Sequence, residues 1–272
     1  MDQQEIFEPT SNSPNLSKSQ KRAARREKKK LSEGSTGAAP LTAKTQNQRE
    51  YIALLKAGES VFGVGPAGTG KTYIPARIAA RQMLDKKISK IIIARITAAP
   101  NQRHAMGFLP GKLEDKLAPW MVPVLDGLKA EVSGVTLDKW KQEKRLEYAS
   151  FEQLRGRTFS DCMVILDEAQ NATFADLKLF LTRIGEDCQV VVTGDIEQID
   201  IRDSGLERVM DMAEDYGVPM EIVEFGAEDV VRSAFTKAWV AAFAAESGQS
   251  VANLDDLPRF LHTAPKSTSP AT

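Results

Sequence analysis

Residues 65–72 read GPAGTGKT. Three glycines let a backbone curl tightly, and a lysine and a hydroxyl follow at once. The pattern G-x-x-x-x-G-K-[ST], set between an apolar run and a helix-like stretch, is that of a loop that cradles phosphates. In this reading Gly65, Pro66, Ala67, Gly68, Thr69 and Gly70 wrap the phosphates. Lys71 reaches the β- and γ-phosphates, and Thr72 offers its hydroxyl to Mg²⁺.

Such a loop needs an acid on the metal side, and CMVILDEAQ (162–170) supplies two. Val164, Ile165 and Leu166 are apolar, Asp167 emerges at the strand end, and Glu168 follows. Asp167 is expected to serve the Mg²⁺ shell and Glu168 to polarise an attacking water, although two acids could also cap a helix over NATFADLK. A third polar cluster ends the apolar run VVVTGDIEQID (190–200). Gly194-Asp195 alone would make a turn. Beside the phosphate loop, Asp195 and Gln198 instead read as γ-phosphate sensors, because an amide can both accept from the water and donate to the phosphate. No N-K-x-D stretch is present to read guanine, so ATP is the expected nucleotide.

Five apolar runs must position these residues: SVFGV (60–64), KIIIAR (90–95), CMVILD (162–167), QVVVTGD (189–195) and MEIVEF (220–225). Most lack polar alternation, as parallel strands covered on both faces do. Helix-like stretches separate them: NQREYIALLKAG, TYIPARIAARQMLD, FADLKLFLTRIG and SGLERVMDMAEDYG. The alternation predicts an α/β fold, a single RecA-like P-loop NTPase domain with a parallel sheet of about five strands flanked by helices. KIIIAR lies between the two phosphate motifs, so the strands carrying Gly65 and Asp167 are not consecutive. Residues 100–160 are too long for a plain connection and are expected to form a helical insertion. Pro75, inside the first turns of the helix after the loop, removes a backbone donor and should bend or loosen that helix there, unless the turn is already irregular.

Composition bounds the rest. The 42% hydrophobic fraction is ample for a core, and no apolar run approaches the ~20 residues of a membrane span. The first residues, MDQQEIFEPT, predict no secretory signal. A soluble, cytoplasmic protein with no membrane partner is expected. Cys162 and Cys188 have no CxxC spacing and read as reduced thiols. His104 and His262 lack metal-ligand company, and no zinc is assigned. Trp120, Trp140 and Trp239 read as core or interface residues rather than base-stacking platforms. The net charge of -1 advertises no global basic field. Lys18 to Lys30, however, concentrates cations around the single acid Glu27, as either a phosphate-binding arm or a solubilising tail. The expected organisation is a flexible basic extension (1–43), an ATPase domain (44–246) and a flexible tail (247–272).

GPAGTGKT, VILDEAQNAT, LTRIG and VVTGDIEQID, in that order, resemble the PhoH family of phosphate-starvation-associated ATPases. GFLPG (107–111), LRGRT (154–158) and EDVVR (228–232) extend the likeness over about residues 44–245. The family resembles the motor core of superfamily 1 helicases, where the G-D-x-x-Q element links γ-phosphate state to nucleic acid. That resemblance implies an adenine-reading role for Gln48 and single-stranded RNA or DNA as a partner. The chain departs from the family at Arg95-Ile96-Thr97, where Arg-Pro is usual, and in the loop IDIRDSG after Gln198.

Superfamily 1 motors complete the ATP site with arginines from a second lobe. No second P-loop core is visible here, so the resemblance implies a homo-oligomer, a ring and possibly a hexamer, with composite sites. Arg157 and Arg232 are the favoured arginines, with Arg183 and Arg95 as further candidates; any of them could instead cap a helix or make a surface pair. An ATP-dependent switch that binds a protein partner is the alternative from another class. A small-molecule kinase fits less well with Asp167-Glu168 and the G-D-x-x-Q element.

Overall fold

The computed structural model describes residues 39–96, 121–150, 154, 156–231 and 239. Helix α1 (Gln46–Ala57) leads into β1 (Val61–Val64), followed by α2 (Tyr73–Leu84) and β2 (Lys90–Arg95). Then come α3 (Val122–Glu131), α4 (Gly134–Gln142), β3 (Leu146–Ser150), β4 (Cys162–Asp167), α5 (Phe174–Leu181), β5 (Cys188–Gly194), α6 (Leu206–Asp215) and β6 (Glu221–Glu224). All strand pairs are parallel, in the order β3-β2-β4-β5-β1-β6. β5 therefore separates the strand that leads into the phosphate loop from the strand that ends in Asp167.

Each central strand is apolar on both sides because each side has its own helix layer. Ile91, Ile93, Met163, Ile165 and Val191 pack with α1 to α4. Ile92, Ala94, Val164, Leu166, Val190 and Val192 pack with α5 and α6. Strand alternation thus sorts consecutive residues into two cores, and all strand C-termini point to one edge of the sheet.

The sheet has six strands where about five were expected. The segment read as a helical insertion yields α3 and α4 between 121 and 150, but then forms β3 at the sheet edge. LEYAS escapes recognition because an edge strand carries a charged residue where a central one is apolar. Glu147 on β3 takes ion pairs from Lys90 (2.8 Å) and Arg157. Trp140 is buried in the core, whereas Trp239 is half exposed. Trp120, the basic stretch at 18–30 and the tail from 247 lie outside the described residues.

Residues 39–43, expected within the extension, pack on the domain: Leu41 and Ala43 lean on the core, and Arg77 Nη2 donates to the Ala39 carbonyl (2.7 Å). Cys162 and Cys188, far apart in sequence, are register partners with sulfurs 3.2 Å apart, both free thiols. No described helix is long and apolar enough to cross a membrane.

The Arg157 and Lys90 charges hold Glu147 down from 4.5 to about 2, chiefly through the Arg157 hydrogen bond. A depressed carboxylate contributes stability that is complete above its unfolded value and lost as pH falls through the folded one. Urea unfolding of wild type and Glu147→Gln should therefore differ most above 4.5 and converge towards pH 2.

Candidate active site

The phosphate loop follows β1 at the C-terminal edge of the sheet, with Gly65, Gly68 and Gly70 all at positive φ. Gly65 is irreplaceable on two counts. Its φ of 138° is a region L side chains avoid, and a Cβ there would lie 2.2 Å from the Phe225 carbonyl oxygen. The Lys71 ammonium donates to the Pro66 carbonyl (3.1 Å), as does the Thr69 hydroxyl (3.1 Å). Ala67, Thr69 and Thr72 complete the loop, and α2 starts directly after it.

Asp167 is the point of convergence. Its Oδ1 accepts from the hydroxyls of Thr72 (2.9 Å) and Thr193 (2.6 Å), and its Oδ2 accepts from Arg95 Nη1 (3.1 Å). The carboxylate is almost fully buried. A buried carboxylate and the loop's hydroxyl, 2.9 Å apart, are hard oxygen donors that suit Mg²⁺. The residues present therefore fit the metal.

Glu168 stands beside Asp167 in left-handed backbone, with φ 59° and ψ 40°. For a residue other than glycine this costs on the order of 1–3 kcal/mol and marks a position the surroundings enforce. Both carboxylate oxygens are held, Oε1 by Arg95 Nη2 (2.9 Å) and Oε2 by the Gln170 amide (2.7 Å). The Gln170 carbonyl oxygen in turn accepts from the Asp195 N–H (3.1 Å). One buried amide thus links the Glu168 strand end to the G-D-x-x-Q turn.

Asp195 is buried, and its Oδ1 accepts from the Glu197 N–H (3.1 Å). Its Oδ2 has no hydrogen-bond partner among the described residues. It lines a cleft of about 90 Å³ with Gly65 and Pro66. Gln198 is exposed in the turn beyond, its N–H donating to the Asp195 carbonyl (3.1 Å). A larger apolar groove of about 660 Å³ between α5 and α6 reaches Cys188 and Ser60 at the opposite end of the sheet, so it is not the phosphate site.

Gln48 lies against the loop with its amide engaged at both ends. Nε2 donates to the Thr69 carbonyl (2.8 Å) and Oε1 accepts from the Lys44 N–H (2.9 Å). The arginines divide. Arg157 is not brought to the loop: it grips Glu147 beside Lys90, the first residue of β2, and lies over the Phe159 ring. Arg183 is half-buried near the end of α5, its Nε without a partner among the described residues. Arg95, considered for a neighbouring subunit's site, is turned on the acids of its own chain. Arg232 lies outside the described residues.

Sequence reasoning missed Thr193, Gln170 and Tyr51. Thr193 and Gln170 stand inside motifs already quoted, but short polar residues beside acids give no sign of which way they point. Tyr51 had a signal in Pro75. α2 runs unbroken from Tyr73 to Leu84 with Pro75 as its third residue, in the first turn, where a missing N–H is best tolerated. The carbonyl Pro75 leaves without a helical donor is that of Lys71, four residues back. The Tyr51 hydroxyl donates to that carbonyl (3.0 Å). Burial, with the Asp167 charge second, pushes the Tyr51 phenol well above its ordinary value, so it stays a donor. Gly63 admits the ring, since a Cβ there would lie 2.7 Å from the Tyr51 oxygen.

Comparison with known proteins identifies the family. The sequence model of the family described as "PhoH-like protein" matches residues 40–244. A "PhoH-like protein" of Mycobacterium tuberculosis is 39% identical over 204 residues, 74% of this chain and 57% of the relative. "Protein PhoH" of Escherichia coli is 36% identical over 218 residues, 78% of this chain and 61% of the relative. The chain spans about three-fifths of the length of the curated relatives it matches. The large terminase of a thermophilic bacteriophage covers 72% of this chain and 49% of its own, at 10% identity and a TM-score of 0.46, too distant to carry weight.

Tyr51→Phe should cost about 1 kcal/mol by stranding the Lys71 carbonyl. In a Pro75→Ala background the restored N–H can take the tyrosine's place, so the loss should shrink. A double-mutant cycle in urea measures this, and equal losses in both backgrounds would refute the substitution of one donor for the other.

Proposed function

This chain belongs to the PhoH family, and on that premise we propose that it is a Mg²⁺-dependent ATPase acting on single-stranded nucleic acid as an oligomer. The observation that carries the reading is the meeting of Thr72, Asp167 and Glu168 at the edge where the phosphate loop ends. A hydroxyl, a buried carboxylate and a second, braced carboxylate come from the loop and a strand two places away.

The Lys71 ammonium donates to the Pro66 carbonyl, a neutral partner that it can exchange for charged phosphate oxygens at a gain. Thr72 and Asp167 would hold Mg²⁺, which when bound draws charge from the phosphates. Glu168 takes the proton of the attacking water, and its backbone strain with the Gln170 contact aims it. Gln170 also bonds to the Asp195 N–H, so a change at Glu168 is felt in the turn that presents Gln198. That turn is a route from phosphate state to an exposed surface.

The nucleic-acid and oligomer parts rest on the resemblance of Gly194–Gln198 to a helicase element and on the cations of Lys18–Lys30. Arg157 is engaged with Glu147, so Arg232 is the preferred trans arginine. RNA is favoured over DNA on the resemblance alone.

Steady-state hydrolysis with Mg²⁺ tests the reading, with Lys71→Ala as the blank. Glu168→Gln should keep ATP binding and lower turnover by ~10²-fold or more. Normal turnover in that variant removes Glu168 from the mechanism. Single-stranded RNA should stimulate the wild type at low salt and lose its effect as salt rises. Lys71-dependent hydrolysis indifferent to nucleic acid would move the assignment to an ATP-dependent switch for a protein partner.

A further inference from the structure

Arg95 is the last residue of β2, in register with Asp167, the last residue of β4. Its guanidinium spans two carboxylates of consecutive residues, at 3.1 Å from Asp167 Oδ2 and 2.9 Å from Glu168 Oε1. In a continuing strand this could not happen, because neighbouring side chains point to opposite faces. The left-handed backbone at Glu168 turns the second carboxylate back towards the first. The strain there therefore serves a joint grip by one planar, five-donor group. The Arg95 and Asp167 side chains are only 15% and 4% exposed, so solvent screens that pair weakly.

The grip lies where a metal's charge is needed. Asp167 Oδ1 faces the Thr72 hydroxyl, and Arg95 covers the other oxygen. A dication at Thr72 and Asp167 would face a guanidinium across one carboxylate, two like charges competing for the same anion. Meanwhile both oxygens of the water-activating Glu168 are engaged, by Arg95 and Gln170, and a water must compete with a cation or an amide for either.

We propose that Arg95 is a cis-acting guard of the metal site. With nucleotide absent it neutralises Asp167 and Glu168 together, and the arrival of Mg²⁺ with nucleotide displaces it from Asp167. Because one guanidinium holds both acids, giving up Asp167 loosens Glu168 in the same movement, so the base becomes available only when the metal is in place. Arg95 is a positioning residue, since it acts through the two acids. The inference rests on the reading of Asp167 as the metal-side acid and goes beyond it in assigning the cation that competes there.

The test is metal affinity, not turnover. Full-length wild type and Arg95→Ala, both saturated with ADP, are titrated with Mn²⁺ as the probe, and free Mn²⁺ is followed by its paramagnetic resonance signal. Removing a neighbouring cation from an acid pair should tighten Mn²⁺ by on the order of tenfold. Without metal the variant should melt below wild type, and Mn²⁺ should restore more of its melting temperature than it adds to wild type. If Arg95→Ala does not fold, Arg95→Lys carries the same test, because one ammonium cannot bridge both carboxylates as a fork does, and a smaller gain is expected.

Unchanged or weaker Mn²⁺ binding in the variants overturns the guard, as does no measurable Mn²⁺ binding in any of the proteins. Tighter binding supports it even where wild type hydrolyses no ATP, in which case the ATPase assignment fails alone. ATP hydrolysis by wild type with unchanged Mn²⁺ affinity leaves the ATPase assignment standing and removes the guard.

Discussion

A single buried carboxylate, Asp167, binds together the parts of this molecule that could handle phosphate. It accepts from the loop through Thr72, from β5 through Thr193 and from β2 through Arg95. An ionised carboxylate away from water must collect hydrogen bonds and countercharge, or it is prohibitively costly. Those requirements pull the loop and two neighbouring strands to one point at the strand C-termini. The loop, the strand that carries the acids and the turn that carries Asp195 are thereby set in one mutual geometry.

That geometry is supported from below by shape. Phe225 presses its carbonyl on Gly65 and meets the Tyr51 ring edge-on, with centroids 5.3 Å apart at 87°. Tyr51 fills the space over Gly63 and supplies the hydrogen bond that Pro75 cannot. The loop's conformation is thus held by α1 and by the residue that follows β6. In a close-packed interior such contacts transmit displacement, so a change at the loop reaches both.

The same site stores the means of its own change. Glu168 has a strained backbone and two partners, one a cation and one an amide that is itself bonded to the G-D-x-x-Q turn. A nucleotide and metal that withdraw Arg95 would leave Gln170 as the remaining restraint on that carboxylate. Asp195 keeps one buried oxygen without a partner among the described residues, next to the loop's first residues. An unsatisfied acid at that place favours a state in which something donates to it.

The sequence by itself determined the family and the class of fold. Lys71, Thr72, Asp167 and Glu168 were named as a candidate site because a phosphate-loop motif demands particular residue types at short, fixed spacing, and that demand is local. The four central strands were legible because burial on both faces leaves an uninterrupted apolar run, and β6 at one edge was read from the apolar residues of MEIVEF. β3 was not, because an edge strand is paired on one side only and can carry Glu147 against Lys90 and Arg157. Only the tertiary structure decided the partners. It brought Arg95 to the acids 72 and 73 residues away, Tyr51 to a carbonyl 20 residues on and Cys162 to Cys188, while it left Arg157 away from the loop. Spacing along a chain reports which residues share a turn. Which distant side chains meet is set by strand order and register, and these exist only once the sheet has formed.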